Sequence, residues 1–366
     1  MLGNYSATPE IKTPPVIAVD IGGTKIAAGL VTLPGEMPET PTVQFERRIP
    51  TNAQEGAAEL IRRVTSLIGE LIAEASRHDI PVTAIGLGTA GQVDPASGSI
   101  IFATDALPGW KGTPVRALLE EAYHLPAFVD NDGHVMALGE AIYGAGRGCR
   151  HLIGMTVGTG VGGGVIIDRR IYHGALGVAG NIGHTIIDYH SRVRCPCGRF
   201  GCLEAFASSD PIVQDFLHTF GRRRISRDLG LDPSQIGVKE IATLAEDKHS
   251  PANTAALAAL RKGAYYLGVG IATLINLFNP DVVVVGGGVA LSGALYFPAV
   301  RQAVFERALP NLTETPILPA SLGSQANLIG AAHLAWTGIG EKPPSIPPPG
   351  AGGKKNPNIT LSAKSA

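Results

Sequence analysis

The chain has 366 residues, 45% hydrophobic and 17% charged, with 30 Lys and Arg against 31 Asp and Glu and a net charge of −1. That length gives room for two ordinary domains. The balanced charge excludes the basic footprint expected of a nucleic-acid binder or of a protein resting on an anionic membrane.

In chain order, residues 1–15 carry three prolines and little apolar pattern, and read as a flexible leader; no basic stretch followed by an apolar run marks a secretory signal there. Val16–Asp20 reads as a buried strand and Ile26–Val31 as its hairpin partner around Gly22-Gly23-Thr24. Helical spacing covers Gly56–Arg77, and buried strands follow at Val82–Gly88 and Ala127–Asp130, the latter running into a helix over Asp132–Tyr143. Leu152–Val157 and Gly163–Ile167 form a second strand pair around a glycine-rich turn. Ala255–Phe278 is a long helix and Val282–Val285 a valine strand. The apolar stretch Tyr266–Leu295 is broken by Asn276, Asn279, Pro280 and Asp281, so a buried helix followed by a strand fits it better than a membrane span. From Glu341 onward, proline, glycine and lysine dominate, and 341–366 reads as a disordered tail. Alternating strands and helices with glycines at strand ends define an α/β protein. The hairpins near 22 and near 159 look like equivalent parts of two related halves, as expected where two lobes clamp a nucleotide.

Five features carry chemistry. In Asp20-Ile-Gly22-Gly23-Thr24-Lys25, paired glycines after a strand let backbone approach a phosphate, Thr24 adds a hydroxyl, and Asp20 is placed to meet a phosphate-bound Mg²⁺ or its water shell. The bland alternative is an ordinary tight turn. Gly158-Thr159-Gly160-Val161-Gly162-Gly163-Gly164 holds five glycines in seven residues, which cradling further phosphates would explain. It matches a dinucleotide fingerprint by count but is followed by a strand rather than a helix. Gly286-Gly287-Gly288, after the valine strand, offers bare backbone for an adenine ring. Asp132 lies where a strand turns into a helix, a common place for a cap; beside Asn131 it also supplies the carboxylate and amide that phosphorylation of an alcohol requires. His134 and His151 have no partner in the sequence and are read as structural.

The fifth feature is the loop Cys195-Pro-Cys197-Gly-Arg-Phe-Gly-Cys202-Leu-Glu204, which packs three of the four cysteines into eight residues. A Cys-x-Cys pair is poorly spaced for a mutual disulfide and well spaced for one soft cation. With His184 upstream it completes a Cys₃His set, the closed tetrahedral pattern of structural Zn²⁺. Clustered thiols without an export signal place the chain in a reducing compartment, the cytoplasm.

Together these stretches, with Ala179-Gly-Asn-Ile-Gly-His184 and Val284-Val-Gly-Gly-Gly-Val289, resemble the repressor, open-reading-frame and kinase (ROK) family of sugar kinases over residues 16–337. The resemblance implies an actin- and hexokinase-like (ribonuclease H-like) fold of two lobes. A small lobe would cover 16–134, completed by a C-terminal helix near 325–338, and a large lobe 135–324 would carry the zinc loop 184–204. ATP and Mg²⁺ would sit at one end of the cleft, on Asp20, Gly22, Gly23, Thr24, Lys25, Gly158, Thr159, Gly160, Gly162, Gly287 and Gly288. A sugar would sit at the other. Carried over by position, Asp132 resembles the general base, and Asn131, Glu204 and Gly91 resemble residues of the sugar pocket. His184 resembles a residue serving zinc with one ring nitrogen and sugar with its other side. Relatives are often homodimers, and the resemblance implies the same here.

Two positions depart from the family pattern: Asn181 stands where the family generally has Glu, and Ala106 where it often has Asn before Leu-Pro-Gly-Trp110. An amide at 181 removes charge-assisted bonds to ring hydroxyls and adds a donor suited to a carbonyl or N-acetyl oxygen. The expected activity is transfer of the γ-phosphoryl group to a hexose hydroxyl, foremost the 6-hydroxyl of glucose. The alternatives are N-acylmannosamine, N-acetylhexosamine, fructose and cyclitol kinases. Of another class is a sugar sensor or repressor. A repressor would carry a winged helix-turn-helix before the first nucleotide strand, where 15 residues stand here, and a dead sensor would be expected to lose Asp132 or the phosphate glycines.

Overall fold

The computed structural model describes residues 13–33 and 40–340. The expected tail and residues 1–12 of the expected leader lie outside that range. Within it, Pro14 and Pro15 are tied down: their carbonyls accept hydrogen bonds from Trp336 Nε1 (2.7 Å) and Thr83 N (3.0 Å).

The first half of the chain runs β1 (Val16–Ile21), β2 (Lys25–Thr32), β3 (Thr42–Pro50), α1 (Ala57–Arg77), β4 (Ala84–Thr89), β5 (Gln92–Asp94), β6 (Ser99–Phe102), α2 (Val115–Tyr123), β7 (Ala127–Asn131) and α3 (Asp132–Ile142). The second runs β8 (Leu152–Val157), β9 (Val161–Ile167), β10 (Arg170–Ile171), α4 (Glu204–Ala207), α5 (Ser209–Phe216), α6 (Arg222–Arg224), α7 (Val238–Glu246), α8 (Asn253–Phe278), β11 (Val282–Gly286), α9 (Phe297–Arg307), β12 (Ile317–Pro319) and α10 (Ala326–Gly340). Two five-stranded sheets result, ordered β3-β2-β1-β4-β7 and β10-β9-β8-β11-β12. Each begins with an antiparallel meander and adds two parallel strands to its first strand, so the repeat read from the two hairpins extends through both sheets. The stretch Tyr266–Leu295 resolves into the end of α8, β11 and a short 3₁₀ turn, and no helix among the described residues is long and apolar enough to cross a membrane.

Burial explains the strands. Val16–Val19 and Val282–Val285 are buried throughout, as parallel strands covered on both faces must be. One core packs α1 and α2 on the outer face of the first sheet, and another packs α5, α7, α8 and α9 on the second. Between the sheets lie α3 and α10. A third core gathers Val16, Ala18 and Ala84 of the first sheet, Leu152, Val282 and Val284 of the second, and Ala137, Leu138, Ala331 and Trp336 of the two helices. The two helices touch backbone to backbone, since a Cβ on Gly330 would collide with the Val135 carbonyl, and α10 approaches β4 equally closely, since one on Gly86 would collide with the Ala331 carbonyl.

At the far end of α3 the fully buried Glu140 accepts hydrogen bonds from the backbone N–H groups of Ala145 (2.8 Å), Ser321 (3.1 Å) and Leu322 (2.9 Å). It pins the loop before α10 to the helix that α10 packs on. Glu140→Ala leaves these donors without their acceptor and is expected to cost about 3 kcal/mol or more of unfolding free energy, read by chemical denaturation. A loss below about 1 kcal/mol would show that water replaces the carboxylate.

Candidate active site

The register of the first sheet assembles one wall of the site. Asp20 of β1 lies level with Gly88 of β4, and Gly88 with Asp130 of β7; Thr89 and Asn131 follow one step on. The polar residues therefore collect at the carboxyl ends of three parallel strands, where open α/β sheets bind ligands.

Asn131 is the N-cap of α3: its Oδ1 accepts from Gly133 N (2.9 Å) and His134 N (3.3 Å). The capping role that position alone offered to Asp132 thus belongs to its neighbour. Asn131 Nδ2 donates to the Gly91 carbonyl (2.8 Å) and to Asp132 Oδ1 (2.9 Å), which fixes the carboxylate without neutralising it. Gly91 has φ +100°, and a Cβ there would stand 2.7 Å from the Phe102 carbonyl, so the backbone that receives Asn131 requires glycine. Burial pushes the Asp132 carboxyl above the usual carboxylate range, against the opposing pull of the Gly133 N–H and of His134.

Asp20 is held by Asn327 at the start of α10, whose Nδ2 donates to Oδ1 at 2.8 Å. Burial raises its carboxyl to about 6, with repulsion from Asp132 adding to the shift and Lys25 opposing it. Two carboxylates that repel one another beside a turn of free backbone suit a hydrated divalent cation. The turn itself is closed by Gly22 N donating to Lys25 O (3.0 Å) and braced by Thr51, whose hydroxyl donates to Gly22 O (2.6 Å); Thr24 and Lys25 are exposed.

The second glycine run divides its labour. Gly158 N donates to Gly160 O (2.9 Å) to close the β8–β9 turn, Thr159 is exposed at its tip, and Gly158 has open space where a side chain would go. Gly162 already lies within the ladder opposite Thr156. Gly163 serves packing rather than phosphate: a Cβ on Gly133 of α3 would lie 2.6 Å from its backbone nitrogen. Gly287, with φ +92°, lies against the Val157 backbone and has no room for a side chain, whereas Gly288 is open.

The Cys/His loop closes as its spacing predicts. Cys195 Sγ lies 3.6 Å from His184 Nδ1 and Cys197 Sγ 3.7 Å from Cys202 Sγ, and the four ligand atoms all fall within 4.8 Å of one another. All four cysteines of the chain are free thiols. Two thiolates on one tetrahedral zinc, with bonds of about 2.3 Å, stand roughly 3.8 Å apart, so the residues present fit that ion. Glu204 opens α4 at the end of this loop; its Oε2 accepts from Val161 N (2.9 Å), while Oε1 lies 3.5 Å from Cys195 Sγ. It therefore joins the loop to the β8–β9 hairpin.

Asn181 faces the first sheet's side of the cleft. Its Nδ2 donates to Val178 O (2.5 Å), and its Oδ1 accepts from Gln92 Nε2 (3.2 Å) at the start of β5. Gln92, Asn327, Thr51 and His173 have partners tens to hundreds of residues away, which no local pattern announces; Asp130 has one partner, His134, four residues on, a spacing that one helical turn brings together. His134, read as partnerless, has two partners: Asp130 Oδ1 and the Ala179 carbonyl, each at 2.7 Å.

A family model described as "ROK family" matches residues 16–337. The chain belongs to the ROK family. Among its ROK relatives, a glucokinase of Halalkalibacterium halodurans is 34% identical over 322 residues, 87% of this chain and 94% of the relative. A xylose repressor of Caldicellulosiruptor bescii is 29% identical over 294 residues, 80% of this chain and 70% of the repressor. A crystal structure of a ROK family glucokinase from Streptomyces griseus, in complex with glucose and AMPPNP, is 32% identical with a TM-score of 0.74, covering 88% of this chain and 99% of that one. The ROK fold, actin- and hexokinase-like, is therefore the fold of this chain, and kinases and repressors both stand among its relatives.

Proposed function

We propose that this chain is an ATP-dependent sugar kinase that transfers the γ-phosphoryl group to a hexose hydroxyl, foremost the 6-hydroxyl of glucose, with Asp132 as general base. The observation that carries this is the state of Asp132. Its carboxylate is half-buried, raised in basicity and oriented by Asn131, at strand ends shared with the Asp20 turn. Phosphoryl transfer needs little covalent chemistry from the protein; it needs positioning and one acceptor for the hydroxyl proton. The likeness to glucokinases along nearly the whole of their length supports the same reading. A sensor would have no use for a basic carboxylate at this point.

ATP would lie between the two hairpins. Backbone of Gly22, Gly23, Gly158 and Gly160 and the hydroxyls of Thr24 and Thr159 would receive the phosphates, Lys25 would offset their charge, and Gly287 and Gly288 would back the adenine. Asp20 would hold Mg²⁺ or its waters; the ion, when bound, neutralises charge on the phosphate oxygens. Asn131, Gly91, Asn181, His184 and Glu204 would line the sugar end. His184, Cys195, Cys197 and Cys202 would hold a structural Zn²⁺ that supplies fold energy and no step of the reaction. Asp132 takes the proton from the attacking hydroxyl as the oxygen closes on the γ-phosphorus.

In a coupled ADP-release assay against glucose, mannose, fructose, N-acetylglucosamine, N-acetylmannosamine and a cyclitol, turnover of at least one sugar is expected. Asp132→Asn keeps an oxygen for the Gly133 N–H and should fold normally, while kcat falls about 10²–10⁴-fold. A variant retaining more than a tenth of wild-type turnover would reject Asp132 as the base. Because the base must be ionised and its carboxyl is raised by burial, kcat/KM should fall on the acid side with an apparent pKa above that of an exposed aspartate. An acid limb at or below the exposed value would contradict this.

Metal analysis should find one zinc per chain. Cys197→Ser should lose it and melt earlier, since structural zinc contributes on the order of 10 kcal/mol; a metal-free protein of full activity and stability would sink the zinc assignment.

Asn181→Glu keeps an acceptor for Gln92 and gains a carboxylate toward ring hydroxyls, but loses the amide donor. If Asn181 adapts the chain to a sugar bearing a carbonyl or acyl group, the variant should improve kcat/KM for glucose about tenfold for each ~1.4 kcal/mol recovered, and lose on the native sugar. A strong wild-type preference for glucose that the substitution leaves unmoved would mark Asn181 as a neutral replacement.

A further inference from the structure

Among the described residues, two clusters bring three or more potential metal ligands together, the Cys/His loop and Asp130, His134 and His173. Their spacings separate them. The thiol cluster is spread at 3.6–3.7 Å, the edge of a coordination polyhedron. In the second, Asp130 Oδ1 meets His134 Nδ1 at 2.7 Å and Asp130 Oδ2 meets His173 Nε2 at 2.6 Å. Two donors on one zinc, with bonds of about 2.0–2.1 Å, stand roughly 3.3 Å apart, so these are hydrogen bonds between the residues themselves.

The charges in the group follow from its geometry. A carbonyl only accepts, so His134 Nε2 donates to Ala179 O; the ring's other nitrogen faces a carboxylate that is 1% exposed. The two histidines hold Asp130 well below the usual range, at about 2, and Asp130 holds His134 above its ordinary value. This is a buried carboxylate carrying an imidazolium on one oxygen and a second histidine on the other.

The partners come from different parts of the chain. Asp130 is the last but one residue of β7 and His134 sits in the first turn of α3, so both flank Asn131 and Asp132. His173 and Ala179 belong to the segment after β10 that leads to Asn181 and His184, and they are themselves joined, Ala179 N donating to His173 O at 2.9 Å. The segment is thus a small closed loop gripped at both ends, one by a side chain and one by a carbonyl.

We propose that His173 is a positioning residue for sugar binding: it clasps the 173–184 segment onto Asp130, and so sets Asn181 and His184 at a fixed distance from Asn131 and Asp132. The inference rests on the sugar-kinase reading for the identity of the ligand, and on the hydrogen bonds alone for the clasp. His173 has no hydrogen bond to Asp132, so its loss acts on binding and leaves the proton acceptor in place. Without the second histidine, Asp130 still has His134, and the closed loop, its ends still joined by Ala179 N and His173 O, can pivot about the one remaining bond from His134 to Ala179 O.

The test compares His173→Phe, which fills the space without a donor, with His173→Gln, which restores an N–H toward Asp130. Two readouts are taken, steady-state kinetics and hydrogen–deuterium exchange over residues 172–184 without ligand. In His173→Phe the sugar KM should rise about tenfold or more, kcat and the KM for ATP should change less than threefold, and exchange in the segment should quicken. His173→Gln should recover most of both. Unchanged exchange, an unchanged sugar KM, or a fall in kcat at constant KM would overturn the clasp. So would a second metal equivalent that His173→Phe removes. If wild type phosphorylates no sugar, the kinase reading fails instead, and exchange alone then decides the clasp. Should His173→Phe not fold, His173→Gln at near-wild-type KM against His173→Asn, whose shorter amide cannot reach Asp130, makes the same comparison.

Discussion

The site depends on one side chain, Asn131, doing three jobs at once. Its oxygen caps α3, one amide hydrogen reaches the Gly91 carbonyl, and another reaches Asp132. The cap sets where the helix starts, and therefore where Asp132 stands relative to the strand ends. The bond to Gly91 ties that point to the turn between β4 and β5, which bears Gln92. Since α3 also lies between the two sheets, packed backbone to backbone on α10, an error in its start would pass into the relation of the two sheets as well. Placing the carboxylate proposed as the base on the first turn of the most enclosed helix would trade adjustability for precision, which a reaction governed by positioning requires.

A second chain of contacts runs along the other wall. The Cys/His loop carries Glu204, Glu204 accepts from the Val161 N–H, and Val161 follows the turn of Gly158–Gly160. In the proposed reading, sugar, zinc and phosphate ends of the cleft are thereby linked by a path of a few bonds. In that reading a metal remote from the chemistry has a physical reason: the loop, with Gly198 and Gly201 at positive φ and Ile186, Tyr189, Val193 and Phe200 exposed, has little apolar burial to hold a carboxylate in place by itself.

What could be read from the sequence follows the range of the interactions. The buried strands, the two hairpins and the long helix rest on local pattern, and the structure has them within a few residues of the expected limits. β3, with its mixed and mostly half-exposed residues, and α9 carry too weak a pattern, while α2, α5 and α7 are amphipathic but at 9, 8 and 9 residues too short to stand out. The Cys/His loop was legible because its chemistry is compressed into a short, distinctive spacing. The glycine run was legible as a feature but not in its parts, since whether a glycine faces a ligand or a crossing helix is decided by α3, which passes beneath Gly163 and Gly164. Asp130 with His173, Asp20 with Asn327 and Gln92 with Asn181 are pairings of distant residues. Nothing near any of these positions announces its partner.

The departures from the family pattern acquire a physical context in this light. Asn181 does not project alone into the cleft; both ends of its amide are engaged, by Val178 O and by Gln92 Nε2. An amide can satisfy one acceptor and one donor together, which a carboxylate in the same place cannot, so Asn at 181 suits the close meeting of its segment with Gln92. The same segment is gripped by Asp130 and His134 a few residues earlier, and its Gly177 lies against Pro95, just past β5. Neutral amides, a buried ion pair and a close backbone contact thus replace open space along this edge of the cleft. A segment held at so many points leaves a bound sugar little power to reshape it. In the sugar-kinase reading proposed above, substrate choice would follow from what fits the fixed edge, with residue 181 acting within limits that Gln92, His173 and Asp130 have already set.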